Sequence, residues 1–297
     1  MVPHIVGIGE LLWDVYPDGH RVAGGAPFNF AFHCHQLGHP ATIISRVGND
    51  KWGQQLRDRV RELGLSDEFI QSDPHHTTGS VQVSLTSDGQ PSYTITENVA
   101  WDWITWTPEL AERVVSAKAI CFGTLAQRSR ISAQTIRQAV KQANGLRVFD
   151  VNLRQQVHCL SLFETLRLVH WVKLNELEVQ RLTQVCGRSF QRLMNDHVTC
   201  VGARATWIVT RGPHGCVIYP ADGDPITEPG VAVQVADTVG AGDAFIAAML
   251  CRYLEGNPLR ECAQFANRYA ARVCEQFGAT PQIDRRAVEG ELLDHGR

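Results

Sequence analysis

No run of about 18 or more apolar residues occurs in the 297-residue chain, and the amino terminus, MVPHIVGIGE, has no basic segment leading into a long apolar one. A membrane-spanning helix and a secretory leader are therefore not expected, and a cytoplasmic location is. Charge of one sign is also missing: 28 Lys and Arg oppose 31 Asp and Glu, for a formal charge of −3. Nothing in that balance attracts nucleic acid or an anionic membrane, which points to a small-molecule partner. The nine cysteines, scattered from Cys34 to Cys274, contain no C-x-x-C pair. Odd number and scatter argue against a disulfide framework and a zinc knuckle, so most are expected as reduced, buried small hydrophobes. The familiar nucleotide motifs are absent too: there is no G-x-x-x-x-G-K-[ST], and GIGELL (7–12) lacks the third glycine of the dinucleotide fingerprint.

What is present is a rhythm. Short Val- and Ile-rich runs, HIVGIG (4–9), ATIISRVG (41–48), AKAICFG (117–123), LRVFD (146–150), WVKLN (171–175) and TWIVTRG (206–212), alternate with helical patterns. The spacing predicts parallel strands with crossover helices, an α/β sheet covered on both faces. PFNFAFHCHQLG, DKWGQQLRDRVRELG and ISAQTIRQAVKQA predict helices, the first two closed by a glycine suited to a left-handed C-cap. One region breaks the pattern. TGSVQVSLTSDGQPSYTIT (78–96) alternates apolar and polar residues around Asp88-Gly89, which predicts an antiparallel hairpin outside the main sheet. LLWDVYPDGHRVAG (11–24) holds the turn Pro17-Asp18-Gly19 and offers companion strands, so the two excursions together predict a lid over the carboxyl ends of the strands.

The stretch ADTVGAGDAF (236–245) sets two aspartates and two glycines before the apolar run FIAAML. Gly240 and Gly242 let successive N–H groups converge on one point, and a helix starting near Asp243 adds its unsatisfied donors and dipole. An anion pocket beside a carboxylate suits transfer of a phosphoryl group to a hydroxyl. Local chemistry leaves a second possibility equally open, in which Asp243 caps a helix and the glycines make a tight loop.

Further segments, taken in order, carry a resemblance. AGGAPFNFAFHCHQLG (23–38), DTVGAGDAF (237–245), KLNELE (173–178), TRGPHG (210–215) and GELLWD (9–14) resemble the signatures of the ribokinase-like, PfkB-type carbohydrate kinases over nearly the whole chain. PFNFAFHCHQLG, ENVAWD, GTLAQRS and FDVNLR are most similar to the bacterial fructokinases of that family. The resemblance implies an α/β three-layer sandwich with a mostly parallel central sheet and a small β-sheet lid. It also implies one kinase domain over 1–297, with lid segments at about 11–24 and 78–98.

By the same resemblance Asp243 is the base that deprotonates the acceptor hydroxyl, and the backbone of Gly240, Ala241 and Gly242 is the anion hole. Asp14, Gly24, Gly25 and Asn29 bind sugar hydroxyls, and Asn175 and Glu178 organise magnesium and phosphates through water. Thr210, Gly212, Gly215 and Asn267 line the ATP site, and Asp237 is a ligand of a monovalent cation, commonly potassium. Two further residues are read as substrate-binding. Arg154 in DVNLR can fork onto a substrate or ATP oxygen, or else pair with Asp150 or a neighbour. Gln127, next to Arg128, stands where ribose-specific relatives carry an acid, which favours a ketohexose.

The implied reaction is ATP-dependent phosphorylation of a sugar, foremost fructose to fructose 6-phosphate. The alternatives are a related kinase acting on 2-keto-3-deoxygluconate, ribose, a nucleoside or an aminoimidazole, and a sugar-binding regulator without catalysis. Trp101, Trp103 and Trp106 are weighed as stacking platforms or core, and His33-Cys34-His35 and His75-His76 as packing rather than metal sites. An apolar outer face of the lid would allow a homodimer.

Overall fold

The computed structural model describes residues 2–85, 91–154, 159–196 and 204–294. The six Val- and Ile-rich runs are strands. In chain order the strands are β1 (Ile5–Ile8), β2 (Leu12–Val15), β3 (Arg21–Gly24), β4 (Ala41–Gly48), β5 (Ile70–Asp73), β6 (Gly79–Leu85) and β7 (Pro91–Ile95). They continue as β8 (Ala119–Phe122), β9 (Leu146–Asp150), β10 (Trp171–Asn175), β11 (Thr206–Thr210), β12 (Cys216–Tyr219) and β13 (Ile226–Glu228). Nine of them form one sheet in the order β13-β12-β11-β10-β9-β8-β1-β4-β5. The pairing is parallel from β11 to β5, while β12 and β13 add antiparallel strands at one edge. Three short strands escaped sequence reasoning: β5, whose IQSD is mostly polar, and the antiparallel strands β12 and β13.

Alternate residues of each strand feed two separate cores. Ile5, Val148 and Ile208 join the cluster built with α1 (Ala26–Gln36), α2 (Lys51–Glu62) and the later helices α8 (Ala241–Leu254) and α9 (Leu259–Cys274). Val6, Phe149 and Trp207 face the opposite cluster, with α3 (Pro108–Ser116), α4 (Arg130–Gln142), α5 (Cys159–Leu166), α6 (Glu176–Cys186) and α7 (Phe190–Asp196). A sheet buried on both faces needs apolar residues at odd and even positions alike, which is why the strands read as continuous apolar runs. The chain ends its described part with α10 (Arg285–Asp294). Helix α8 is buried throughout Ala244–Cys251 and packs between α1 and α9, which explains its lack of a polar face. Gly38 and Gly64 follow α1 and α2 with φ of 91° and 83°, as expected of left-handed C-terminal glycines.

The lid is a second sheet, ordered β3-β2-β6-β7. Strand β6 pairs antiparallel with β7, Val81 opposite Ile95, and parallel with β2, Asp14 opposite Val81. Both predicted excursions thus meet as expected, although the Asp88-Gly89 turn lies outside the described residues. The central sheet changes direction of growth at β1, which lies between β4 and β8. Open α/β sheets bind ligands at such a switch, beyond the carboxyl ends of the strands. Among the described residues no helix is long and apolar enough to cross a membrane.

Candidate functional site

A cavity of about 600 Å³ opens at this switch, between the sheet and the lid. Leu12, Asp14, Val81, Tyr93 and Ile95 line it from the lid, and Gly25, Ala26 and Asn29 from the start of α1. Lys173 and Asn175 come from the end of β10, Glu178 from the first turn of α6, Asn152 and Arg154 from the loop after β9, and Gly240, Gly242 and Asp243 from the start of α8. Local rules put them there. Gly25 sits at φ 117° before α1, and a Cβ on it would stand 2.3 Å from the Glu10 carbonyl oxygen, so only glycine lets these segments touch. Asn175 caps α6, its Oδ1 accepting from the Glu178 N–H (2.9 Å) while a Glu178 oxygen accepts from the Asn175 N–H (2.8 Å).

The start of α8 decides between the two possibilities left open by ADTVGAGDAF. Gly240, left-handed at φ 78°, is the N-cap, and no side chain caps this end. Asp243 lies inside the first turn and turns its carboxylate to Asn29, whose Nδ2 donates to Oδ2 at 2.8 Å across 214 residues of sequence. It is not a cap. The Ala241 N–H donates at 3.3 Å to the Thr238 carbonyl, while those of Gly242 and Asp243 are left for a ligand, and the helix dipole favours an anion. Burial raises the Asp243 carboxyl above its ordinary value of 3.8, against the Lys173 charge and the Asn29 hydrogen bond. Asp14 is pushed up to about 6 by burial, with the charge of Arg154 opposing.

Two site residues lie within the quoted signatures, in GELLWD and KLNELE, but had no role assigned to them. Glu10, directly after β1, is 3% exposed and lines the cavity. Burial pushes its carboxyl up to about 7. Lys173 is also buried, and its Nζ donates to both oxygens of Asp150, at 3.1 and 3.0 Å. Burial alone would lower Lys173, but the charges of Asp150, Glu178 and Asp243 hold it above its usual range and therefore protonated. A Cβ on Gly242 would lie 2.8 Å from that ammonium, so the cation adjoins the glycine loop. The sequence signal for both was an ionisable side chain in or beside an otherwise apolar strand, a pattern that costs free energy unless the group is paired or used.

The remaining predicted residues divide. Thr210 pairs with Asn175 across β10 and β11. Beyond it Gly212 (φ 54°) and Gly215 (φ 81°) make the turn into β12. Asn267 on α9 donates from Nδ2 to the Pro229 carbonyl (3.0 Å), and Pro229 in turn lies against Gly215. These four residues form one flank next to the cavity rather than its lining. Asp237 holds the glycine loop from behind: its oxygens accept from the N–H groups of Val239 (3.0 Å) and Gly278 (2.9 Å). Gly24 backs onto Asp14, whose Oδ2 would be 2.6 Å from an added Cβ.

Gln127 does not reach the cavity. Its amide is spent on the Gly123 carbonyl (2.8 Å) and the Thr165 hydroxyl (3.2 Å), so the assignment as a substrate contact is withdrawn. Arg154 does reach it, and the alternative pairing with Asp150 fails because Lys173 occupies that carboxylate. Arg128 grips Asp102 with two bonds of 2.8 Å and stacks over buried Trp101, while Trp103 stacks on His76. The tryptophans are packing, not cavity lining. His33 is likewise structural, bonded to the Tyr269 hydroxyl and the Ala279 carbonyl. Among the described residues no cluster of His, Cys, Asp and Glu is arranged to hold a metal ion.

Comparison with known proteins places this geometry. The model of the pfkB family carbohydrate kinases matches residues 16–286. The chain is a pfkB-family carbohydrate kinase. The kinase is 32% identical over 303 residues to a sugar kinase of Pyrococcus horikoshii, covering 94% of this chain and 93% of that one. It is 27% identical over 324 residues to fructokinase-1 of Zea mays, covering 98% and 97%. Among solved structures, a fructokinase of Xylella fastidiosa with bound ATP superposes with a TM-score of 0.87 over 99% of both chains, at 21% identity, a likeness of fold. The Pyrococcus horikoshii sugar kinase in complex with ATP gives a TM-score of 0.79 at 29% identity, over 93% of this kinase and 94% of that chain.

Proposed function

We propose that residues 1–297 form one kinase domain that transfers the γ-phosphoryl group of ATP to a hydroxyl of fructose, giving fructose 6-phosphate. The observation that carries this reading is Asp243: a buried carboxylate in the uncapped first turn of α8, beside Gly240 and Gly242, inside a lid-covered cavity. Asp243 takes the proton of the acceptor hydroxyl, and the N–H groups of Gly240, Ala241 and Gly242 receive the charge that develops on the moving phosphoryl group. The protonated Lys173 beside Gly242 adds fixed positive charge at the same place. Asp14, Gly24, Gly25, Asn29 and Arg154 hold the sugar, and Thr210, Gly212, Gly215 and Asn267 form the flank for the nucleotide. Closure of the lid excludes water as a competing acceptor. Fructose as acceptor is supported by the likeness to the maize fructokinase.

The residues present fit magnesium held through its waters. Each oxygen of Glu178 already accepts one backbone N–H, from Leu153 (3.0 Å) and Asn175 (2.8 Å), which leaves acceptor capacity for water but no bare carboxylate. Magnesium, when bound with ATP, neutralises phosphate charge, and Asn175 and Glu178 would hold its water shell. Asp237 suits a role behind the glycine loop, where potassium would shape the anion hole; activity higher in potassium than in Tris or sodium is expected, and equal rates remove the role. The kinase is proposed to be cytoplasmic and to pair through its lid. Light scattering that finds a monomer at working concentration refutes the pairing.

A second reading has one observation in its favour: Arg154 at the cavity could hold the carboxylate of an acidic sugar such as 2-keto-3-deoxygluconate. A coupled ADP-release assay across fructose, tagatose, ribose, 2-keto-3-deoxygluconate and adenosine decides. Fructose is expected to give the highest kcat/KM. Preference for another acceptor overturns the fructose assignment, and tight sugar binding with no turnover overturns catalysis.

A further inference from the structure

Glu10 lies in the wall of the cavity with its Oε2 buried and without a hydrogen-bond partner. Asn29, four residues into the segment after Gly25, leaves its Oδ1 in the same condition, so two buried acceptors at the sugar end lack donors. An unsatisfied buried acceptor costs free energy, and a bound donor recovers it. The Glu10 carboxylate is placed for that purpose: the backbone N–H groups of Glu10 and Ala26 stabilise its charge, and its carbonyl is clasped by Gly25.

We propose that Glu10 is a specificity-determining residue whose Oε2 accepts a hydrogen bond from a hydroxyl of the bound sugar, so that the site selects a neutral polyhydroxy acceptor over a sugar acid. The inference rests on the kinase reading of the same site and goes beyond it in assigning the residue that sets the class of acceptor. An ionised carboxylate only accepts hydrogen bonds, and a sugar hydroxyl can donate where a second carboxylate cannot. A hydroxyl also reproduces the bonds of any water it displaces there.

The charges around it point the same way. Glu10, Asp14, Glu178 and Asp243 all line the cavity. Against them stand Lys173, already taken by Asp150, and the exposed Arg154 and Arg181. Solvent screens an exposed guanidinium more than it screens buried carboxylates, so Arg154 does not reverse the preference.

The test compares wild type, Glu10→Gln and Glu10→Asp at pH 8 with magnesium and ATP, measuring kcat and KM for fructose, tagatose and 2-keto-3-deoxygluconate. Glutamine keeps the shape but presents a donor or a neutral acceptor; aspartate keeps the charge but withdraws the oxygen by one methylene. Loss of a hydrogen bond to a charged acceptor is expected to lower kcat/KM for the best neutral sugar about 10- to 100-fold in Glu10→Gln, mainly through KM. The sugar acid is expected to keep or improve its value, so the neutral-to-acid ratio falls at least about tenfold. Glu10→Asp weakens the neutral sugar but continues to exclude the acid.

An unchanged ratio in Glu10→Gln with intact ATP affinity overturns the proposal. So do parallel losses on both acceptor classes together with lost ATP affinity, which mark a purely structural role. Should a variant not fold, the wild type supplies the measurement by calorimetric titration. Binding of the sugar acid at least about tenfold weaker than the best neutral sugar supports the proposal, and equal binding overturns it. If another neutral sugar outperforms fructose, the fructose assignment fails while the ratio still reports on Glu10.

Discussion

Replacing Asp243 by asparagine removes one negative charge and one proton acceptor while leaving the shape of the site in place. Asn29 still finds an oxygen to donate to, at the position where Asp243 Oδ2 now accepts at 2.8 Å. The carboxylate is 9% exposed, so bulk water cannot stand in as the base. A positioned base contributes about 10² to 10⁴ in rate, equivalent to roughly 2.7–5.5 kcal/mol of barrier. We expect kcat in a coupled ADP-release assay to fall by at least about 10²-fold, with ATP affinity and the unfolding transition unchanged. The pH profile gives an independent sign. Asp243 must be ionised to act, so kcat/KM falls as pH drops through its pKa, and burial moves that acid limb above the ordinary 3.8. Asn29→Ala deletes a hydrogen bond that favours the ionised form, which shifts the limb to higher pH. An Asp243→Asn enzyme within tenfold of wild type, with the same acid limb, would refute the reasoning.

Three further outcomes are expected. Lys173→Met strands Asp150 in the interior and costs about 3–5 kcal/mol in denaturant unfolding; adding Asp150→Leu recovers most of it, and a double variant weaker than the single one contradicts the ion-pair account. Gly240→Ala forces a side chain into φ 78° with its Cβ 2.7 Å from Ala279, so activity and about 1–2 kcal/mol of stability are lost together; a variant with wild-type turnover and Tm refutes this. At Glu255 burial alone would raise the carboxyl, but the His39 hydrogen bond and Arg285 hold it at about 2, below its ordinary 4.5. That stability is present above pH 4.5 and fades as pH falls toward 2, so wild type should exceed Glu255→Gln by about 1–2 kcal/mol at pH 7 after allowance for partial exposure. A gap that persists undiminished at pH 2.5 excludes the linkage.

Local chemistry was legible wherever a short-range rule applied. Apolar runs marked β1, β4, β8, β9, β10 and β11, glycines marked the ends of α1 and α2, and alternation marked the β6–β7 pair. The polar β5 and the short β12 and β13 were not legible, because IQSD carries no apolar run and β12 and β13 are antiparallel additions defined by the neighbours they pair with. The same distinction runs through the site. Gln127 looked like a substrate contact until the fold brought Thr165 and the Gly123 carbonyl to its amide.

The sequence by itself determined the order of the elements, the glycine loop at the head of α8 and the types of side chain available for phosphoryl transfer. Only the tertiary structure decided that Asp243 turns to Asn29, that Lys173 is paired with Asp150 beside Gly242, and that Glu10 faces the cavity with a free oxygen. Periodicity, turn chemistry and capping act over a few neighbouring residues and leave their mark in the sequence. Burial and pairing depend on groups that the chain brings together from distant positions, such as Asn29 and Asp243, 214 residues apart, and they govern how each charge behaves.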